Sequence, residues 1–442
     1  MRTFSWILAR GAVLTTLAAL AAAQAPPRVA ELSPRHGAAE VDPRTTTRLT
    51  ARFDRPMDTR RHAVCGGGPS FPAVTAAQWL DEHTLSLAVD LEPDRVYTMS
   101  LACAGSAGFH GKDGGALAET PWHFATAGEP LPDGAAARAA ERLFAAIRDH
   151  YSYRDHLGID WRRLERDHAP TLAACTSGAA LALATAELLA TAQDVHVTVR
   201  WRDASLPTWR RQVAANFDLR GLQRRLPKLT RVGRVGLAAR TEDDIGYLFV
   251  GSFAREQRRD FDQLLQTLRT MLDCRALVLD VRTNGGGDEL LARRLAAFFV
   301  EGERVYAAHR VRDPRAPDGF GDRQDRRIKG NEPPDAFRGP VAVLMGPQNM
   351  SSCEAFLLMM KQAGRAFLVG ERSYGSSGNP QPHDLAPGLA VLLPSWQALR
   401  PDGSGFEGEG IAPHLHVAAS AAELAEGDPV LDEALLRLRR ER

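Results

Sequence analysis

Apolar and polar residues alternate in the N-terminal part of the chain, from about residue 27 to residue 126. The clearest alternating segments are 48–53, 84–89 and 96–102, and Gly, Pro and Asp residues separate them. A two-residue period predicts half-buried strands, and strands at this spacing predict a small β-sandwich. Residues 127–134, which contain Pro and Gly, are expected to form a linker.

The spacing of the apolar residues becomes helical after residue 135 and predicts helices at 135–151, 161–167 and 177–192. From residue 246 onward, short apolar runs alternate with amphipathic segments. This pattern predicts strands at 247–250, 275–281, 341–345 and 367–370, and helices at 255–272, 288–299 and 352–363. Strands that alternate with helices favour an α/β core with a mainly parallel sheet. The charged stretch 312–334, which contains Pro and Gly, is expected to be a surface loop.

Residues 1–25 have the pattern of a secretory signal peptide. Arg2 and Arg10 supply positive charge, an apolar run extends from Ala12 to Ala23, and small residues offer cleavage sites. The run is shorter than the ~20 residues of a membrane-spanning helix; an uncleaved N-terminal anchor is the alternative. We expect an exported protein, periplasmic or extracellular, with no stable membrane insertion after signal cleavage.

The charge balance excludes one class of partner. The 442 residues include 55 Lys and Arg against 54 Asp and Glu, so the formal net charge is +1. A near-neutral chain lacks the electrostatic basis for binding nucleic acid, and no nucleic-acid partner is expected. The hydrophobic fraction of 44% is that of a globular protein and excludes wholesale disorder.

The chain contains five cysteines: Cys65, Cys103, Cys175, Cys274 and Cys353. An odd number leaves at least one free thiol. Cys65 and Cys103 both fall in the N-terminal β-rich segment and could pair in an oxidising compartment. No Cys-x-x-Cys motif or His/Cys cluster has the spacing of a metal site, so neither a metal nor another cofactor is expected.

Two predicted strand-to-helix turns carry residues suited to catalysis. In the segment 276–287 an apolar strand ends in Asp280 and Arg282 and continues into a run of three glycines. Backbone N–H groups in such a turn can face an anion or a developing oxyanion, although a purely structural turn is the alternative. In the segment 343–354, Ser351 lies at the second turn, where its hydroxyl can be exposed. A helix N-cap is the alternative role for Ser351, and Cys353, inside the predicted helix, is the rival nucleophile.

A third segment, 194–199, places Asp194 and His196 on one face if it forms a strand. The order Asp-x-His, Leu-Asp-x-Arg-x-Asn-x-Gly-Gly, Ser-Ser-x-Glu and Gly370-Glu-x-x-Tyr-Gly resembles that of the C-terminal-processing (tail-specific) serine peptidases. Segments 151–161 and 401–413 fit the same family. The resemblance implies a crotonase-like α/β peptidase core at 196–442 behind a helical N-terminal subdomain at 135–195. It also implies protein or peptide substrates.

Residues 27–126 resemble the bacterial Ig-like domains of exported proteins. The resemblance rests on Ser33-Pro34 with Gly37, on Phe-Asp-Arg-Pro-Met-Asp at 53–58 and on Phe-Ala-Thr at 124–126. It implies an all-β Ig-like sandwich in front of the peptidase and carries no information about chemistry.

The peptidase family resembled here has two kinds of catalytic machinery. One branch uses a Ser–Lys dyad, whose lysine lies in a Gly-Lys-Gly element. Here that element reads Gly-Ser-Ser-Gly at 375–378, with Ser376 at the lysine position. The four lysines of the chain lie in other segments: Lys112, Lys228, Lys329 and Lys361. A Ser–Lys dyad is therefore not expected.

The other branch, similar to the tricorn protease core, pairs serine with histidine. The resemblance implies Ser351 as nucleophile and His196 as general base, with the N–H groups of Gly286 and Ser352 forming the oxyanion hole. An imidazole suits the general-base role because its pKa lies near 6.5.

The residue that orients the imidazole is left open. Glu407 matches the late glutamate that completes the tricorn tetrad. Asp194, or a relay through Ser376, is the alternative. Val195 stands directly before the histidine, where the tricorn core has a serine.

Three functions remain possible on the sequence. The first is an exported serine endopeptidase, the second a catalytically inactive relative that binds peptides or lipids, and the third an adhesion protein that works through its Ig-like domain. The segment between His196 and Gly246 is too short for the peptide-binding (PDZ) domain that many relatives carry there. The oligomeric state is not predicted.

Overall fold

The computed structural model describes residues 25–102 and 108–440. Its N-terminal unit contains eight strands: β1 (Val29–Ser33), β2 (Ala38–Val41), β3 (Arg48–Phe53), β4 (Val64–Cys65), β5 (Ala73–Trp79), β6 (Thr84–Asp90), β7 (Val96–Leu101) and β8 (Thr120–Thr126). Two four-stranded sheets, β1-β3-β6-β5 and β2-β8-β7-β4, share a core that includes Leu49, Phe53 and Trp122. The three strands predicted from alternation are therefore present as β3, β6 and β7. The assignment of this unit as an Ig-like domain stays a prediction.

Two predictions concern residues that the structure does not describe. The expected signal peptide falls almost entirely within residues 1–24, and Cys103 lies in the gap at 103–107. Cys65 is disulfide-bonded, and Cys175, Cys274 and Cys353 are free. The pairing of Cys65 with Cys103 stays a prediction.

A helical unit follows, with α1 (Ala135–His150), α2 (Trp161–Ala173) and α3 (Gly178–Leu189), and then β9 (Thr198–Trp201) and β10 (Ala204–Pro207). The side chains of Asp160 and Ser177 cap α2 and α3 by accepting N–H groups of the first turn. The N-terminal unit packs on this one, since Trp201 Nε1 donates to the carbonyl of Asp94 at 2.9 Å.

The predicted strand at 194–199 is wrong in its first half. Asp194 and His196 lie in a turn that the Val197 N–H closes by donating to the Asp194 carbonyl at 3.1 Å, and the strand begins only at Thr198. The two side chains are therefore not placed by strand alternation.

The next elements build most of a large sheet and two of its helices: α4 (Leu219–Arg225), β11 (Thr230–Val232), β12 (Gly236–Arg240), β13 (Ile245–Val250), α5 (Arg258–Arg269), β14 (Ala276–Asp280) and α6 (Glu289–Ala296). All five residues of β14 are buried. A strand covered on both faces is expected to be a continuous apolar run, which is why the sequence pattern located it.

The chain continues with β15 (Glu303–Val311), β16 (Gln324–Lys329), β17 (Val341–Met345), α7 (Ser352–Lys361) and β18 (Ala366–Gly370). The prediction of a surface loop over 312–334 is wrong at β16, which pairs antiparallel with β15. Only Ile328 of β16 is buried. Charged residues on an exposed edge strand hide the alternation that would have revealed it.

The last elements are β19 (Pro380–Ala386), β20 (Leu389–Pro394), β21 (Trp396–Leu399), β22 (Leu415–His416), α8 (Ala421–Glu426) and α9 (Pro429–Arg440). Strands β19 and β20 return to the helical unit, where they form the sheet β10-β9-β20-β19. That unit is consequently discontinuous in sequence. A three-stranded sheet, β16-β15-β21, flanks the core.

The core is a seven-stranded sheet in the order β11-β12-β13-β14-β17-β18-β22, whose strands from β13 to β22 run parallel. Residues of α5, α6 and α7 pack on one face, and residues of α4 and α9 pack on the other. Because β14 and β17 are parallel neighbours, the turns that follow them emerge at the same edge of the sheet. Within the described residues, we find no helix whose length and hydropathy would allow it to span a bilayer.

Candidate active site

Ser351 lies at the sharp turn between β17 and α7. Its backbone angles are φ 57° and ψ −129°, a region that non-glycine residues occupy at a cost of about 1–3 kcal/mol. Ser351 precedes the first residue of α7, yet its side chain makes no capping hydrogen bond. The N-cap role is therefore wrong, and the strained turn leaves this hydroxyl available for chemistry.

Asn349 ties this turn to the turn that follows β14. Its Oδ1 accepts the Gly346 N–H at 2.8 Å, and its Nδ2 donates to the carbonyls of Val281 at 2.5 Å and Asn284 at 3.1 Å. The side chain is fully buried. Asn349 thereby fixes the two loops relative to each other, a role that sequence reasoning missed.

Gly286 lies directly against the serine turn. A Cβ at this position would come within 2.9 Å of Ser351 Cβ and 3.0 Å of Ser352 N, and φ is 97°, so only glycine fits. However, the Gly286 N–H donates to Asn284 Oδ1 at 2.8 Å. In this conformation a side-chain acceptor therefore occupies the hydrogen, and the role of Gly286 N–H as an oxyanion donor stays a prediction.

Ser352 begins α7, so its N–H is among the first helical N–H groups, which have no carbonyl partner within the helix. Its hydroxyl donates to the Gly287 carbonyl at 2.7 Å. The backbone of Ser352 thus stays fixed beside the glycine turn, with its N–H at the positive end of the helix.

A buried ion cluster fixes the end of β14 beneath these turns. Arg282 is fully buried and lies 2.6 Å from a carboxylate oxygen of both Asp280 and Asp428. The Tyr247 hydroxyl donates to Asp280 at 2.7 Å. Asp428, 146 residues away in sequence, was not predicted, because nothing in its local pattern points to a distant arginine.

His196 faces the loop that follows β18. Its Nδ1 is hydrogen-bonded to Ser376 Oγ at 2.9 Å, and 12% of its side chain is exposed. Burial lowers the pKa of His196 below its usual value, and the charge of Asp194 only partly opposes this. The imidazole is therefore neutral at neutral pH, as a general base must be.

Ser376 connects the candidate base and the candidate nucleophile. Its hydroxyl bonds to the imidazole, while its carbonyl accepts the Ser351 N–H at 2.8 Å. Ser376 therefore contacts both residues. Among the described residues there is no direct hydrogen bond between the Ser351 hydroxyl and the His196 ring.

Glu407 contacts the same loop, which follows β18, through Ser377. Its Oε2 accepts the Ser377 N–H at 3.0 Å and the Ser377 hydroxyl at 3.4 Å. Burial first, and then the charges of Asp194 and Glu354, raise the pKa of Glu407 well above its usual range, while the Ser376 hydroxyl lowers it. Glu407 thus approaches the imidazole through the serine pair and not directly.

Asp194 stabilises the turn that carries His196. Its carboxylate accepts the His196 backbone N–H at 2.8 Å and the Tyr151 hydroxyl at 2.9 Å. The distance from its Oδ1 to His196 Nδ1 is 3.9 Å, too long for a hydrogen bond. Asp194 contributes negative charge near the imidazole, but its hydrogen bond to His196 is to the backbone N–H and not to the ring.

Glu354 is a further acidic residue that sequence reasoning left without a role, although it ends the Ser-Ser-x-Glu motif. Its side chain is fully buried, and it accepts the Ser373 hydroxyl and the N–H groups of Gly375 and Ser376. Burial raises the pKa of Glu354 to about 7, against the opposing effect of these hydrogen bonds.

The rival catalytic residues fit less well. Cys353 is fully buried in α7, and burial raises the pKa of its thiol well above the usual value, which removes the thiolate a nucleophile needs. Lys361 ends the same helix, and nine residues at ~1.5 Å each separate it from the helix start. It stands at the far end of α7 from Ser351.

An unbonded serine hydroxyl at a strained strand-to-helix turn of an α/β scaffold, linked through Ser376 to a buried histidine, is an arrangement typical of serine-type hydrolases. The comparison with known proteins agrees. Residues 244–417 match peptidase family S41. The match covers about two fifths of the chain, and curated relatives named as carboxy-terminal processing proteases agree with it.

Two curated relatives illustrate the similarity. The carboxy-terminal processing protease CtpB of Bacillus subtilis is 25% identical over 173 residues, which are 39% of this chain and 34% of the relative. The carboxy-terminal-processing protease of Bartonella bacilliformis is 27% identical over 207 residues, 45% of this chain and 44% of the relative. The chain thus spans less than half the length of either relative.

A solved structure of a candidate peptidase from Parabacteroides merdae shares the fold. Its TM-score is 0.59 at 21% identity, and the alignment covers 69% of this chain and 96% of that one. At this identity the likeness concerns the fold alone.

Proposed function

We propose that the protein is an exported serine endopeptidase that hydrolyses peptide bonds in proteins or peptides, with Ser351 as nucleophile and His196 as general base. One observation carries the proposal. Ser376 hydrogen-bonds to the His196 imidazole through its hydroxyl and to the Ser351 N–H through its carbonyl, so a single residue brings base and nucleophile together. The strained backbone of Ser351 and its hydroxyl, which makes no capping hydrogen bond, support the same assignment.

The reaction begins with proton transfer. With Nδ1 protonated and donating to Ser376, the Nε2 lone pair of His196 accepts the Ser351 proton as Oγ attacks the substrate carbonyl. The imidazolium then protonates the departing amine, leaving an acyl-enzyme on Ser351. Water, deprotonated by the same imidazole, hydrolyses the ester and restores the serine.

The oxyanion of each tetrahedral intermediate accepts the Ser352 N–H. A donor of this kind contributes about 3–4 kcal/mol to the barrier reduction. The second donor is Gly286 N–H, provided that substrate binding releases it from Asn284 Oδ1, to which it donates in the resting structure. The resting protein is then a state with one oxyanion donor free and the other engaged.

The imidazolium is stabilised from its Nδ1 side. The Ser376 hydroxyl accepts from Nδ1–H and orients the ring, and the carboxyl of Glu407 lies beyond it, where Oε2 accepts the N–H of the adjacent Ser377. Asp194 adds a negative charge 3.9 Å from the same ring nitrogen and keeps the turn in place. This is the tricorn-like Ser/His form of the machinery, with a serine from another loop standing in for the residue before the histidine.

The finer features of the architecture belong to the same proposal. We assign the N-terminal β-unit to the Ig-like class, the catalytic sheet to the crotonase-like class and residues 1–25 to a signal for export. Substrates are taken up without a PDZ domain between His196 and Gly246. The Ig-like unit, which contacts the helical unit through Asp94 and Trp201, then serves as a spacer or a docking module.

Cleavage of a peptide library by the wild-type protein beside Ser351→Ala tests the proposal. We expect cleavage by the wild type only. A wild type that binds peptides without cutting any of them would contradict the proposal and favour the non-catalytic alternative. A truncation lacking residues 27–126 tests the adhesion alternative, because retained activity excludes the N-terminal unit as the working part.

A further inference from the structure

We propose that Glu354 is the positioning residue that holds the loops bearing Ser376 and Glu407 in register with Ser351. This inference rests on the proposed function for its catalytic consequence. The structural part of the inference, that one carboxylate joins these loops, can be tested on its own.

The first loop is attached directly. Glu354 Oε1 accepts the Ser373 hydroxyl at 2.5 Å and the Gly375 N–H at 2.8 Å, and Oε2 accepts the Ser376 N–H at 3.0 Å. Glu354 lies in the first turn of α7, the helix that begins just after Ser351. The same short helical turn therefore sets the position of the nucleophile and of the serine that contacts the imidazole.

The second loop is attached through Ser373. The Ser373 hydroxyl donates to Glu354 and accepts the Ile411 N–H at 2.6 Å. The Gly408 N–H donates to the Gly375 carbonyl at 2.8 Å, so the two loops also meet backbone to backbone. Residues 406–411, which include Glu407, are thus linked to Glu354 by one bridging hydroxyl, in addition to their backbone contacts with the first loop.

Three donors converge on this carboxylate, and a carboxylate is the only side chain of this length that accepts at both oxygens without donating. A glutamine would place an NH₂ group against one of these donors and leave it unsatisfied in a buried site. Burial raises the pKa of Glu354 to about 7. The titratable groups that interact electrostatically with its carboxylate are the Cys353 thiol and Glu407. The ionised form, which suits three donors, is therefore the form that predominates above about pH 7.

Two ionisations consequently shape the pH dependence of the wild type. His196 must lose its proton, at a pH below its usual 6.5, and Glu354 must lose its proton near pH 7. Both changes increase the reaction rate as pH rises. Replacing Glu354 with glutamine removes the second ionisation and leaves the first, a change that a merely structural role would not produce.

The test compares wild type, Glu354→Gln and the control Glu409→Gln by their rate of labelling with a fluorophosphonate from pH 5 to 9. Glu409 is an exposed carboxylate of the second loop whose ion pairs are of the weak surface kind. Glu354→Gln should be labelled roughly 10- to 100-fold more slowly, the loss expected for a misplacement of about 1 Å. Its pH profile should lose the ionisation near 7, while the control follows the wild type.

Amide hydrogen exchange gives the second readout. In Glu354→Gln, residues 373–376 and 406–411 should exchange faster than in the wild type. Ser373→Ala, which keeps the direct contacts to Gly375 and Ser376, should speed exchange mainly in 406–411 and serves if the glutamine variant does not fold. Labelling of Glu354→Gln at the wild-type rate with an unchanged pH profile would overturn the catalytic role.

The two proposals fail differently. A wild type that never reacts with the fluorophosphonate refutes the serine peptidase assignment. Unchanged exchange in both loops of the variants refutes the positioning role, whether or not the protein reacts.

Discussion

Replacing Ser376 with alanine is the substitution that separates a histidine-based site from any alternative on the same fold. The hydroxyl of Ser376 is hydrogen-bonded to His196 Nδ1 at 2.9 Å, and alanine removes it without changing the backbone. The Ser376 carbonyl and N–H, which bond to Ser351 and Glu354, stay in place. The variant therefore removes only the interactions of the hydroxyl, with the imidazole and with the carboxyl of Glu407.

The magnitude follows from the change in charge of the ring. A hydrogen bond to a charged partner contributes about 1.5–3 kcal/mol and one to a neutral partner about 0.5–1.5 kcal/mol. Only the difference between the imidazolium of the transition state and the neutral ring of the ground state affects kcat. That difference is about 1–1.5 kcal/mol, or roughly a 5- to 13-fold loss. A ring that also loses its orientation loses more, up to the ~150-fold set by the whole charged bond.

The assay is hydrolysis of a cleaved library peptide, with kcat and KM measured separately. We expect kcat to fall about fivefold or more and KM to stay near the wild-type value, because the hydroxyl touches the base and not the substrate. Ser377→Ala is the matched comparison. That hydroxyl contacts Glu407 and Tyr153 but not the imidazole, so its loss should cost clearly less. Wild-type kcat in Ser376→Ala would refute the relay.

Three further outcomes are expected. Ser351→Gly should abolish hydrolysis. It should also raise the free energy of unfolding in urea by about 1 kcal/mol or more, because glycine adopts the positive φ of this turn without strain. A variant less stable than the wild type would contradict the strained turn. In Glu354→Gln, where one ionisation remains, the rate of fluorophosphonate labelling should rise with pH through a pKa below 6.5. Burial lowers the pKa of His196, and only the neutral ring accepts a proton. A midpoint of this pH profile at or above 6.5 would contradict the buried base. Asp428→Asn should cost about 3–5 kcal/mol of unfolding free energy by leaving the buried Arg282 undercompensated. Asp432→Asn, which breaks an exposed pair in the helix that follows Asp428, should cost less than about 1 kcal/mol. Equal losses would show that burial is not the cause.

The elements of the α/β core were predictable because the central strands are covered on both faces. The predicted strand at 341–345 coincides with β17, all of whose residues are buried. Uninterrupted apolar runs of this kind depend little on tertiary context. The edge strand β16 was missed because its charged residues face solvent and leave one buried side chain to signal it.

The site was predictable only in part. The order of the motifs drew attention to Ser351 and His196, but the turn that carries His196 and the acceptor of the Gly286 N–H depend on contacts that no local pattern encodes. The convergence of two loops on Glu354 is of the same kind, since its partners lie 19–22 residues further along the chain. The order of the motifs in the sequence identified the candidate site residues, whereas the folded backbone determines which hydrogen bonds they make.

A crystal structure of the protein after reaction with a fluorophosphonate tests the central claim most directly. We predict the phosphonyl group on Ser351 Oγ, with a phosphonyl oxygen accepting the Ser352 N–H and His196 Nε2 within hydrogen-bonding reach, about 2.6–3.2 Å, of an oxygen of the adduct. An adduct on another residue, or an imidazole that stays out of reach of Ser351, would contradict the account.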